Sequence, residues 1–494
     1  MIPAAPGKWE GILDAIEDAP MCIQKDWFGN MKGQEDCLYL NVHTPEVITK
    51  TLKPVMVYIH GGGFVEGHGR YEMAGPEFLI PEGVVLVTIN YRLGLFGFLN
   101  FENTDVGVFG NMGLKDQNMA LRWVQKNIEK FGGDPNSVTI FGESVGGCSV
   151  HMHMLSPMSQ GLFHRVIAQS GTALHAWSTN GQKNTGVIAA KGLGYNGKSE
   201  LKMLPFLQER TVEEIMKIQE NVTLVVPVHE RGLIGAIVEN IKDDLAFMPN
   251  NPEELIAAKE YQEVPFMLGF TDEEAIILDV ISYLTQGKPK QLPTELTLTH
   301  TLNLKDQKAE AEAIKKIEDF YLKQADASDR TGLLHLAGDV LIYHGVYKSL
   351  LAHSKREHKN MYLYMLSGDT QLNYMKRMHP VTAKYKGTSH IDDLGYIFKT
   401  KYTPDFKPDS LEATVMQRVV KLWTNFAKYG NPTPKQEQFN ITWKPVQTGA
   451  LNFMNIGNDN LKLDINPYPE RISFWEKLHE EYAGKKISSS HSEL

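Results

Sequence analysis

Ser137-Val138-Thr139-Ile140-Phe141-Gly142-Glu143-Ser144-Val145-Gly146-Gly147 is the stretch on which the fold turns. Its first five residues are β-rich and apolar, and a helical run from Ser149 to Leu155 follows it. Between them lies Gly142-x-Ser144-x-Gly146, whose glycines leave room for a sharp strand-to-helix corner. Such a corner strains the serine backbone and presents its Oγ at the edge of a sheet. The pattern alone occurs by chance, and a glycine-rich corner with an incidental serine would look the same. The strand–turn–helix setting makes Ser144 a candidate nucleophile.

The alternation extends outward from this corner. Val55 to Ile59, Val84 to Ile89 and Arg165 to Gln169 are further apolar runs, and Val264 to Phe270 and Met361 to Met365 repeat the pattern later. Near-continuous apolar strands separated by helices predict an α/β fold whose central, mostly parallel sheet is covered on both faces. Leu121, Val124, Ile128 and Phe131 mark one apolar helix face, ended by Gly132-Gly133-Asp134-Pro135. Glycine there supplies a left-handed cap, and proline bars continuation. A late helix is expected from Val415 to Ala427, stopping at Gly430-Asn431-Pro432. The charged, helical stretches at about 180–260 and 285–350 read as insertions over the sheet. No linker marks a boundary, so residues 1–484 are expected to form one unit and 485–494 a flexible polar tail.

His60-Gly61-Gly62-Gly63-Phe64 follows the strand Val55–Ile59 directly. Ester cleavage passes through a tetrahedral oxyanion that needs preorganised N–H donors, and losing one typically costs about 3 kcal/mol of barrier. Consecutive glycines let bare amides approach that oxygen. Gly62 and Gly63 are therefore candidate donors, with Val145 N–H a third at the positive end of the following helix. A flexible turn is the plainer reading, but a turn does not need three glycines after an apolar strand. A serine hydroxyl also needs a base, and 17 histidines leave composition unable to choose one. In this architecture the order is serine, acid, histidine. That order points to His390, in a polar loop after the strand Met361–Met365, and to Asp272, Glu273 and Glu274 after the strand Val264–Phe270. Spacing does not separate the three carboxylates.

With 494 residues, 42% hydrophobic and 22% charged, the composition is that of a globular protein. A net charge of −9 argues against a nucleic-acid partner, which needs a basic footprint. No apolar run is long enough to span a bilayer, and no metal-ligand spacing of Cys or His occurs. Met1 to Pro6 lacks the basic and apolar regions of a secretory signal. Yet the chain ends His491-Ser492-Glu493-Leu494, a variant of the Lys-Asp-Glu-Leu class of ER-retention tails. It also carries N-glycosylation sequons at Asn221 and Asn440. The ER lumen or secretion is the expected location, or the cytoplasm if Met1 is the true start. Cys148 lies in the apolar helix after Ser144 and reads as a buried small hydrophobe. Cys22 and Cys37 are either a disulfide closing a short loop or two unrelated thiols, and cysteine arithmetic leaves both readings open.

The chain resembles the type-B carboxylesterase/cholinesterase family of the α/β-hydrolase fold, and the insect carboxylesterases most. The matching segments span nearly the whole sequence. They include Glu35-Asp36-Cys37-Leu38-Tyr39-Leu40-Asn41, His60 to Phe64, Asn90-Tyr91-Arg92-Leu93-Gly94, Gly110 to Gln117, Gly142 to Gly147, Gln169-Ser170-Gly171, Ser389 to Leu394 and Trp423 to Phe426. The resemblance implies a central, mostly parallel sheet flanked by helices with helical insertions. It implies a triad of Ser144, Glu274 and His390, with Asp272 and Glu273 left as solvated loop charges. It places Ser170 and Glu143 around the triad, pairs Cys22 with Cys37, and pairs Arg92 with Asp134 and Asp339 with Arg471. It further implies small-molecule carboxylic esters as substrates, lipophilic and xenobiotic ones included, inhibition by organophosphates, and no cofactor. Oligomeric state and natural ester are not legible.

Several features depart from the family pattern. Val145 stands where alanine is usual and Ala275 where glycine follows the acid; the valine amide still donates, but its branched side chain is expected to crowd the acyl group or the turn and lower efficiency. The chain opens where relatives are already under way, without their first strands or the arginine that would face Glu35. Trp27 lies ten residues before Cys37, as does the choline-binding tryptophan of cholinesterases, but the short loop favours a packed tryptophan. Gly63 is intact, so the acidic replacement that gives some insect relatives phosphate-ester hydrolysis is absent. The family also contains inactive adhesion proteins, which makes a weak or inactive esterase-like binding protein the alternative. The presence of all three triad residues argues against it.

Overall fold

The computed structural model describes residues 3–4, 7, 10–222, 234–287, 302, 304, 307–322, 329–358, 360–435, 439–447 and 449–482. The apolar runs become neighbours in one nine-stranded sheet. In chain order its strands are β1 (Leu40–His43), β2 (Lys53–Ile59), β3 (Val85–Ile89), β4 (Gly133–Glu143) and β5 (Arg165–Gln169). They continue as β6 (Phe266–Thr271), β7 (Met361–Leu366), β8 (Asn452–Ile456) and β9 (Leu461–Ile465). In space the order is β9-β8-β7-β6-β5-β4-β2-β3-β1. Only the two ends are antiparallel, β1 on β3 and β8 on β9.

Both faces of the sheet are buried, which explains the continuous apolar runs. Val55, Val57 and Ile59 of β2 enter one core and Met56 and Tyr58 the other. Helix α1 (Met112–Asn127) leads through a 3₁₀ turn to Gly132, whose left-handed φ of 77° ends the element as expected. Helix α2 (Val145–Leu155) covers one face with Val150, Met152 and Leu155. A later helix, α5 (Leu411–Tyr429), covers the other with Val419, Leu422 and Trp423 and is capped by Gly430. The predicted helical insertions contain helices such as Val212–Val222 and Pro252–Ala258. Within the second, α3 (Thr331–Gly338) passes through a π-turn, Asp339–Tyr343, into α4 (His344–Ser354). The final helix is α6 (Pro469–Tyr482).

The chain runs β2, β3, then back across to β4 on the other side of β2. Strand order therefore reverses between β2 and β4, which opens a crevice beyond their carboxyl ends. His60 to Gly63 and Ser144 sit there. Cys22 and Cys37 form the expected disulfide, closing a loop of sequence separation 15, a closure that contributes about 3 kcal/mol in the chain-entropy account. Cys148 is a buried free thiol. The tail at 485–494 lies outside the described residues, and among the described residues no helix is long and apolar enough to cross a membrane.

Candidate active site

Ser144 is the single residue between β4 and α2, with φ 59° and ψ −125°. That is a strained backbone for any residue with a side chain. Missing side chains around it make the corner possible. A Cβ on Gly146 would sit 2.1 Å from Ile59 O, and one on Gly171 would sit 1.9 Å from Ser144 O. Ser144 N–H donates to Gln169 O of β5 (2.8 Å), which ties the corner to the neighbouring strand.

The acid and the histidine arrive from the ends of β6 and β7. Glu274 is buried; its Oε1 accepts from Ser170 Oγ–H (2.6 Å) and Thr271 N–H (2.8 Å). Its Oε2 lies 2.6 Å from His390 Nδ1. A carboxylate only accepts, so Nδ1 carries the proton and Nε2 is left as the basic nitrogen. That nitrogen is 3.0 Å from Glu143 Oε1, a buried oxygen that makes no hydrogen bond among the described residues. Ser144 Oγ makes no hydrogen bond among the described residues, and Ser144 and His390 line one cavity. Contacts of this kind commonly tighten only once substrate is bound.

Charge around the imidazole is strongly biased. Burial alone would lower the pKa of His390, but the carboxylates of Glu143 and Glu274 outweigh it and hold it above the ordinary histidine range. Burial raises Glu143 in turn, against the pull of His390. The expected oxyanion donors are backbone amides. Gly62 and Gly63 have φ of 100° and 63°, the left-handed region where glycine is at home. Among the described residues, no protein group accepts from the N–H of Gly62, Gly63 or Val145. The cavity has a volume of about 260 Å³ and mainly apolar walls, Phe64, Trp177, Ile277, Leu341 and Ile342 among them. The two atypical residues, Val145 and Ala275, both line it. Trp27 is not among the lining residues and donates its Nε1–H to Glu66 Oε1 (2.6 Å).

The loop of His390 is pinned by residues that the sequence did not reveal. Lys376 is fully buried; its Nζ donates to Tyr385 O (2.9 Å) and Gly387 O (2.6 Å) and pairs with Asp369 at 2.7 Å. Asp392 accepts from Met375 N–H (2.6 Å) and Ser389 N–H (3.1 Å). Behind the triad, Gln169 Nε2–H donates to Asp393 Oδ2 (2.6 Å). Asp272 and Glu273 are not simply solvated charges. Asp272 Oδ1 accepts from Thr388 N–H (2.7 Å), and Glu273 Oε1 lies 3.2 Å from His335 Nε2.

One expected ion pair is wrong. Arg92 pairs with Asp116, its Nη2 2.6 Å from Oδ1 and its Nε–H donating to Oδ2 at 2.8 Å, while Asp134 accepts from Asn136 N–H. The first turns of α1 face Arg92, whereas Asp134 is used at the start of β4. The second expected pair, Asp339 with Arg471, is present at 2.9 Å.

The sequence profile of the carboxylesterase family matches residues 1–475. The chain belongs to the carboxylesterase family. This carboxylesterase is 34% identical to the juvenile hormone esterase of Tribolium castaneum over 96% of its own length and 86% of the relative's. It is 31% identical to esterase B1 of Culex pipiens, covering 97% and 90% of the two chains. Its fold superposes on the crystal structure of the juvenile hormone esterase from Manduca sexta with a TM-score of 0.82 at 26% identity, over 97% and 91% of the chains. It is a carboxylic ester hydrolase with the α/β-hydrolase fold.

Proposed function

We propose that this carboxylesterase works by two-step acyl transfer through Ser144. Ser144 Oγ attacks the ester carbonyl as its proton passes to His390 Nε2, and the amides of Gly62, Gly63 and Val145 meet the oxyanion. His390 then protonates the leaving alkoxide, which departs as the alcohol. Water attacks the acyl-enzyme with the same nitrogen as base and releases the acid. Glu274 fixes the tautomer and supports the imidazolium, with Ser170 fixing Glu274. The observation that carries this reading is the 2.6 Å contact of His390 Nδ1 with Glu274, on a ring that shares a cavity with Ser144. The Manduca sexta enzyme, solved with OTFP covalently attached, supports it by likeness. The apolar walls favour uncharged, lipophilic esters, xenobiotic ones included.

The test is turnover of p-nitrophenyl esters by the wild type and Ser144→Ala, with a fluorophosphonate adduct mapped by peptide mass. Turnover lost in the variant and an adduct on Ser144 are expected. Equal turnover, or an adduct elsewhere, would overturn the assignment. The Cys22–Cys37 disulfide supports an oxidising location, the ER lumen or outside the cell. The exposed Asn221 and Asn440 are candidate glycan acceptors there, to be read as a mobility shift on endoglycosidase treatment.

A further inference from the structure

The π-turn between α3 and α4 walls the cavity with Leu341 and Ile342. Its wide ring is visible in His344 N–H, which donates to Asp339 O, five residues back. Such a turn leaves carbonyls available to outside donors. Two successive carbonyls in it accept side-chain bonds from a single loop, the one that follows Ser170 and Gly171. Trp177 Nε1–H donates to Leu341 O (2.7 Å), and His175 Nε2–H donates to Ile342 O (2.8 Å).

His175 is built for this task. A carbonyl can only accept, so Nε2 holds the proton and Nδ1 must accept; Thr172 N–H supplies it at 2.9 Å. Ser349 Oγ–H donates to Thr172 Oγ1 (2.8 Å), which links the same loop to α4. The ring lies so close to α4 that a Cβ on Gly345 would fall 2.4 Å from His175 Cγ. Burial lowers the pKa of His175 to about 4, so the ring is neutral under ordinary conditions. On its far side the turn is anchored by Asp339, which pairs with Arg471 and accepts from Tyr321 OH (2.5 Å). Both nitrogens of a fully buried ring are thus committed to backbone groups, one beside the triad and one in the cavity wall.

We infer that His175 is a positioning residue that sets the depth of the ester pocket by holding the π-turn through Ile342 O, and thereby selects esters by chain length. The inference rests on the reading of Ser144 as the nucleophile of this pocket. His175 does not line the cavity and its ring hydrogen bonds go to Thr172 and Ile342, so its effect on the pocket passes through the wall.

The experiment compares full-length wild type, His175→Phe and His175→Gln on p-nitrophenyl esters from acetate to laurate, with fluorophosphonate labelling of each. Phenylalanine keeps the ring and removes both polar atoms; glutamine restores an N–H that reaches towards Ile342 O. For H175F, kcat/KM on the longest esters should change about tenfold relative to wild type, through KM, the scale of a reshaped apolar pocket. Its kcat on acetate and its labelling rate should stay within about twofold of wild type, and H175Q should return most of the wild-type chain-length profile. Should H175F not fold, His175→Asn, whose amide falls short of the carbonyl, takes its place. A uniform fall across all chain lengths, or an unchanged long-to-short ratio, would overturn the proposal. Absence of turnover and of Ser144 labelling in the wild type would overturn the parent reading as well, so the two failures are distinguishable.

Discussion

The serine corner is written in the consecutive residues Phe141 to Gly147 and closed by Ile59 and Gly171, whereas the loop carrying His390 is shaped by side chains up to 224 positions away. At the corner, backbone packs on backbone: Gly146 lies against Ile59 O and Gly171 against Ser144 O. In the histidine loop, side chains hold main chain: Lys376 takes two carbonyls, while Asp272 and Asp392 take three amides. A site can therefore be half written in one short run and half distributed. The two halves should fail differently when broken.

The largest effect belongs to the proposed nucleophile. Ser144→Ala should lower kcat on p-nitrophenyl esters by on the order of 10⁶-fold, the scale seen when a triad serine is removed, while circular dichroism stays unchanged. Next comes the distributed half. Lys376→Met leaves two carbonyls without their donor and Asp369 with Arg377 alone, 3.5 Å away, so stability should fall by about 1–3 kcal/mol in urea unfolding. A histidine displaced by about 1 Å should cost up to about 10²-fold in kcat. Both readouts should move together, because the loop relaxes without the whole protein unfolding.

Gly146→Ala tests the contiguous half. Its added methyl would meet Ile59 O at 2.1 Å, so β2 and α2 must part. A loss of about 1–3 kcal/mol is expected in thermal or urea unfolding. The smallest effect is electrostatic. Glu143 and Glu274 hold the proton on His390, and the base must lose that proton to act. The acid limb of kcat/KM should therefore lie above the usual histidine range. Glu143→Gln removes one of the two charges, so the imidazole releases its proton more readily and the limb moves to lower pH. A limb that stays in place or moves upward would show that Glu143 does not govern the base.

The same contrast explains what could be read in advance. The sheet, the caps at Gly132 and Gly430 and the serine corner follow from runs of neighbouring residues, which periodicity and turn chemistry report. Glu274 could be told from Asp272 and Glu273 only by resemblance, because spacing is identical to within a residue or two and the choice depends on Ser170 and His390 converging in space. The resemblance pairs Arg92 with Asp134, but the approach of α1 brings Asp116 to the guanidinium instead, which only the fold decides. Lys376, Asp392 and His175 carry no motif of their own, since their partners are mainly backbone atoms, three to 17 positions away for Lys376 and Asp392 and 167 for His175 at Ile342, and every segment has those.

The π-turn at Asp339–Tyr343 has one more consequence. A helix bonded five residues back holds an extra residue compared with one bonded four back. Deleting a single residue there would restore regular winding and rotate Leu341 or Ile342 off the cavity, with α3 and α4 still in line. Insertion and deletion, not only replacement, are thus open to this wall as ways of resizing the pocket. Such a deletion should shift the chain-length preference on p-nitrophenyl esters while Ser144, Glu274 and His390 stay in place.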